Sequence, residues 1–125
     1  MMKPKVLVYS CSGCSSAAQM ANWLAICLDR HGVAEMSCIA GVGGGVESLV
    51  RQAREADQIL GIDGCPLHCV ERCLERVGLR STRHWDLSRL GVRKGFHKDF
   101  ELDQAERIFR DLCAEFKGAP EGSLG

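Results

Sequence analysis

Short apolar runs alternate with helix-patterned segments along this chain, and that alternation limits its possible folds more than any other feature. Lys5 to Cys11 carries Val6, Leu7, Val8 and Tyr9 in a row, and Gln58 to Asp63 carries Ile59, Leu60 and Ile62. Continuous apolar runs of this length read as strands buried on both faces. From about Ser15 to His31, residues Ala17, Met20, Ala21, Leu24, Cys27 and Leu28 recur at helical spacing, and Gly32 suits the position just past the helix end. Ala34 to Ala40 reads as a further strand, followed by a glycine loop, Gly41-Val-Gly-Gly-Gly45, and a short helix with Val46, Leu49, Val50 and Ala53 inward. Pro66 opens the next helix and Gly78 ends it. Residues 79–100 are harder to read, with a fourth strand placed around His84-Trp-Asp-Leu87. Asp103 with Glu106 resembles a capping box that starts a last helix.

Strand–helix alternation with short links requires right-handed crossovers and a parallel sheet. The expected fold is therefore α/β: a small three-layer sandwich with a mostly parallel sheet of about four strands and helices on both faces. The 125 residues suffice for one domain with a real core. Residues 1–117 are expected to form it, and the polar, Gly/Pro-containing stretch 118–125 to be a disordered tail.

Charge and length narrow the function classes. Lys plus Arg equals Asp plus Glu at 16 each, so net charge gives no reason to invoke nucleic acid or membrane. The distribution is uneven, with eight basic residues against Glu75 and Asp86 between Arg72 and Lys98. Such a run suits a small anion or an acidic protein partner, or forms a plain solvated face. The apolar run Val6–Tyr9 is too short for a signal peptide, and no segment has the apolar length of a membrane span. A cytoplasmic location follows as the expectation. Reduced thiols there bind metal or do redox work more often than they staple a fold, and this chain has eight cysteines.

Three cysteine groups fall at the ends of expected strands. They are Cys11-Ser-Gly-Cys14, Cys38, and Asp63-Gly-Cys65-Pro-Leu-His-Cys69. In a parallel sheet these strand ends share one edge, where open α/β folds bind ligands. Cys11 and Cys14 have the C-x-x-C spacing at which a turn aims two sulfurs at one zinc or forms a reversible disulfide. The helix start beside them is expected to favour thiolate over thiol. A residue before proline avoids helical geometry, which puts Cys65 at the cap of its helix with Cys69 one turn inside. The helical wheel then assigns Cys69 to the site and Cys73 to the core. Ligand and core readings of Cys38 are evenly balanced, while Cys27 and Cys113 sit at inward helix positions. His68 reads as a solvated side chain or a proton donor, Asp63 as a helix cap or ligand orienter, and Gly64 as a tight turn.

Some chemistries are argued down by spacing. The glycine loop lacks the last glycine of the dinucleotide pattern, because Val46 stands there, and no phosphate-binding G-x-x-x-x-G-K-[ST] occurs. The C-x5-R arrangement of small phosphatases fails as well, since Ala17, Glu71 and Glu75 occupy the sixth positions after Cys11, Cys65 and Cys69. An iron–sulfur cluster ranks below zinc, because Cys65-x3-Cys69-x3-Cys73 matches no common cluster spacing.

At these residues the chain resembles the DGC-domain family, named for its Asp-Gly-Cys motif and described as zinc- or metal-binding. The resemblance rests on Cys11-Ser-Gly13 with Gln19-Met-Ala-Asn22, on Ala40-Gly-Val-Gly-Gly-Gly45, and on Ile62-Asp-Gly-Cys-Pro-Leu67 with Cys69. It continues through Leu90-Gly91 and spans roughly residues 4–95. The resemblance implies four zinc-binding cysteines, which by position are Cys11, Cys38, Cys65 and Cys69. Cys14 is then an extra ligand or a resolving thiol. The expected function is a zinc-binding protein with a thiolate site at the C-terminal edge of the sheet, in metal handling or sulfur chemistry. The alternative is a thiol redox or sulfur-transfer enzyme using Cys11/Cys14 or Cys65/Cys69.

Overall fold

The structure is a computed structural model, and it describes residues 4–116. Four strands form one parallel sheet in the order β2-β1-β3-β4: β1 Val6–Ser10, β2 Glu35–Met36, β3 Gln58–Asp63 and β4 Arg83–Asp86. Leu7, Val8 and Tyr9 of β1 and Leu60 and Ile62 of β3 have no exposed surface, so the two central strands are covered on both faces. The expected α/β architecture with a four-stranded parallel sheet is the observed one.

Helix α1, Ser16–Arg30, carries the chain from β1 to β2. Ser15 caps it, its Oγ accepting the Ala18 N–H at 3.0 Å, and Gly32 closes the other end in the left-handed region at φ 74°. Helices α2, Ile39–Gly43, and α3, Glu47–Glu55, return the chain past β1 to β3. These two crossovers run in opposite directions along the sheet, so right-handedness places their helices on opposite faces. Helix α4, Cys69–Glu75, leads to β4, and α5, Leu102–Phe116, packs beside α1, with Trp23 against Phe100 just before α5 and His31 against Phe109 on it. The strand order reverses between β1 and β3. The crevice at their C-terminal ends is the switch point at which doubly wound sheets bind ligands.

Several local expectations are corrected. The second strand is only Glu35–Met36, and Cys38 is the residue before α2 rather than part of a strand. Glycines 41 and 43 lie inside that short helix instead of a loop, because the missing Cβ at Gly43 makes room for the Cys73 Sγ of α4, which an added Cβ would meet at 2.7 Å. Pro66 opens no helix: α4 starts at Cys69, after a turn that ends with His68 in the left-handed region at φ 54°. Asp103 lies inside the first turn of α5, which begins at Leu102. The stretch 118–125 lies outside the described residues.

Candidate functional site

The end of β1 and the turn after β3 meet at the switch point. There the Gly64 N–H donates to Cys11 Sγ at 3.1 Å, across 53 residues of sequence. This close approach needs glycine. A Cβ on Gly64 would lie 2.7 Å from the backbone carbonyl carbon and oxygen of Ala17 and 2.9 Å from the Ala18 nitrogen. The turn is thus pressed against the first turn of α1, and the Asp-Gly-Cys triplet is a packing element as well as a chemical one.

Each residue of the triplet has a separate task. Asp63 is almost fully buried, and its Oδ1 accepts the Val70 N–H at 2.9 Å, capping the first turn of α4. Its Oδ2 holds His84 Nε2 at 2.8 Å, a reach from β3 to the neighbouring β4. Cys65 is half-buried, and the Lys94 Nζ donates to its Sγ at 3.5 Å.

Burial pushes the Cys11 thiol up to about 12; the Gly64 hydrogen bond opposes the rise, and the charges of Asp63, Cys69 and Cys65 add to it. The thiol is thus raised where a lowering by the start of α1 was expected, because burial of Cys11, 8% exposed, disfavours the charged form. The same interactions show which thiols share one electrostatic neighbourhood, namely Cys11, Cys65 and Cys69. Cys73 sits behind them, its thiol raised by burial and then by the charge of Cys69, and its sulfur packs against Gly43. Cys14 is exposed on the turn before α1. Cys38 is exposed at the start of α2.

A second polar layer lies beside the thiols, and sequence reasoning did not find it. His68 is no solvated residue, since its Nε2 meets Asp86 Oδ2 at 2.8 Å. Its ring packs edge-on to His84, with centroids 4.7 Å apart. The result is two histidine–aspartate pairs side by side, His84 with Asp63 and His68 with Asp86. The hydrogen bond to Asp63 raises His84 above the usual imidazole value against the lowering effect of burial, and the charges of Glu71, Asp63 and Asp86 add to the rise. Burial pushes the Asp86 carboxyl up, but hydrogen bonds from Ser88 and His68 outweigh it and hold the group below the usual range.

The segment after the single 3₁₀ turn Leu87–Leu90 crosses the front of the site as a strap. It is pinned to the start of α1 by two hydrogen bonds, Ser16 N–H to Gly95 O at 2.8 Å and Gly95 N–H to Ser16 Oγ at 3.0 Å. This anchor places Lys94 on Cys65. The spacing of Ser15, Ser16 and Gly95 carried no periodic signal that would have revealed it.

The donor set suits a thiophilic ion, since thiolates are the ligands zinc prefers. The side chains do not close around one as they stand. Among the described residues, no group of three or more His, Cys, Asp or Glu could hold a metal ion. Among the same residues, no helix is long and apolar enough to cross a membrane.

One curated protein, the anaerobic and virulence modulator AnvM of Pseudomonas aeruginosa, is 56% identical over 109 residues, covering 87% of this chain and 83% of the relative. No solved structure matches the chain. The DGC domain matches residues 7–112, which include the Asp63-Gly64-Cys65 turn and the cysteine that receives its hydrogen bond. The chain belongs to the DGC-domain family.

Proposed function

We propose that this chain is a cytoplasmic protein that reversibly holds a thiophilic metal ion, zinc matching its donors best, and that it does so for a regulatory purpose. The observation that supports the reading is the Gly64 N–H on Cys11 Sγ, which sets Cys11 beside the turn that carries Cys65 and leads to Cys69 at the start of α4. Cys14, on the same turn as Cys11, and Cys38, at the start of α2, are the remaining sulfur donors. Cys11, Cys65 and Cys69, with Cys14 or Cys38, would hold the ion. Zinc, when bound, supplies the positive charge that lets a buried thiol lose its proton. The chain's own residues set the conditions: Gly64 donates to the Cys11 sulfur, and Lys94 meets Cys65. The name of the 56% identical relative, a modulator, supports a regulatory purpose over metabolic turnover.

Elemental analysis of the anaerobically purified, untagged protein tests this. About one zinc per chain is expected, absent from the Cys65→Ser/Cys69→Ser double variant. Unchanged stoichiometry in that variant would sink the reading.

One observation favours a second reading. Lys94 on Cys65, with Cys69 at the start of the next helix, also suits a pair that cycles through disulfide or persulfide. It predicts a metal-free protein in which Cys65 and Cys69 oxidise reversibly.

A further inference from the structure

The strap presents an outward face of which only Lys94 also touches the thiol site. Arg89, Arg93, Lys94 and Lys98 are all exposed, and none lies within ion-pair distance of a carboxylate among the described residues. Two large apolar side chains stand among them, Leu90 at 44% and Phe96 at 53% exposure. Lys94 also lies over the Phe96 ring, 5.8 Å from its centroid. An open groove runs alongside, with Val92, Arg93, Lys98 and Phe100 in its lining together with the carboxylates of Asp99 and Glu101. Apolar residues interleaved with unpaired cations are the complement of an acidic segment that carries apolar anchors.

We propose that the exposed face of residues 89–98 docks an acidic, apolar-anchored segment of a partner protein, and that Lys94 couples this surface to the thiol site. Lys94 belongs to both places. While its ammonium sits on Cys65 Sγ, one cation of the docking face is engaged inward. A change at Cys65 that removes this contact returns the cation to the face. The strap itself stays in place, because the Gly95–Ser16 hydrogen bonds do not involve the thiol. Oligonucleotides are the competing class of ligand. The even overall charge and the apolar residues on the face favour protein.

The inference goes beyond the metal reading and is tested without metal. The probe is a fluorescein-labelled peptide of Glu and Asp residues around one Phe-Leu pair, titrated by anisotropy into reduced, chelator-treated protein. Saturable binding that weakens with added salt is expected. Arg93→Gln and Lys98→Gln should each weaken it by up to about fivefold, the range of an exposed ion pair. Phe96→Ala should weaken it too, and Cys65→Ala, which removes the acceptor, should tighten it by freeing Lys94. Failure of the peptide to bind, indifference to these strap variants, or tighter binding of a single-stranded oligonucleotide of equal charge would overturn the docking surface. Binding unchanged by Cys65→Ala would overturn the coupling.

Discussion

Two groups of cysteines in this molecule share a residue type and differ in what surrounds them. Cys27 and Cys113 lie on α1 and α5, away from the switch point, whereas Cys11, Cys65 and Cys69 lie at it. Burial raises Cys113 to about 11, with Cys27 adding to the rise, and raises Cys11 to about 12. By titration alone the two buried thiols look alike. Their neighbours part them: Cys11 has a backbone N–H aimed at its sulfur and two further thiols in its field, one of which holds a lysine. The comparison teaches that buried sulfur marks packing. A site requires turns that bring donors, charges and other sulfurs to it.

The largest expected effect sharpens that contrast kinetically. A thiol at about 12 exposes roughly a thousandfold less thiolate near neutrality than an ordinary cysteine. In reduced, metal-free protein Cys11 and Cys113 should therefore be alkylated last, after the exposed Cys14, Cys38 and Cys69. Peptide mapping by mass spectrometry after a short iodoacetamide pulse reads the order, and early labelling of Cys11 would show that burial does not control its reactivity.

Substitution next separates the regions by stability. Gly64→Ala forces a Cβ into the backbone of Ala17 and Ala18, and should cost about 3 kcal/mol in denaturant unfolding. Cys113→Ala removes one buried sulfur from the α5 face and should cost about 1 kcal/mol while leaving zinc stoichiometry intact. Equal costs for the two would mean that the Gly64 contact is dispensable.

The smallest effect is a pH dependence confined to the switch-point side. His84 has its folded value raised above 6.5, chiefly by the hydrogen bond to Asp63. The folded state then binds a proton that the unfolded state has begun to release. The stability this contributes is complete below 6.5 and is lost as pH rises from there through the raised folded value. His84→Gln should flatten this part of the stability–pH curve measured by urea unfolding, and an unchanged slope would remove the Asp63–His84 pair from the account.

Much of this architecture was legible because it rests on periodicity. The apolar runs of β1 and β3 and the helical spacing of α1 identify a buried parallel sheet and its connections, and parallel strands bring Cys11 and Cys65 to one edge. Asp63 as a helix cap was legible from its position before α4. What stayed hidden depends on single backbone torsions and on contacts distant in sequence. His68 adopts a left-handed conformation, which delays α4 to Cys69 and turns the imidazole to Asp86. Glycines 41 and 43 read as a loop because glycine weakens helices, yet Gly41 makes room for Leu49 of α3 and Gly43 for Cys73 of α4. The strap joins Gly95 to Ser16 across 79 residues, a pairing with no local pattern, and so Lys94 escaped notice as a neighbour of Cys65.

The most direct test of the central claim, that the switch-point thiols hold a thiophilic metal, is zinc K-edge X-ray absorption on the anaerobically loaded protein. The expected result is a sulfur shell at about 2.3 Å that disappears in the Cys65→Ser/Cys69→Ser variant and survives in Cys27→Ala/Cys113→Ala. A shell of only oxygen and nitrogen, or a sulfur shell indifferent to Cys65 and Cys69, would contradict it.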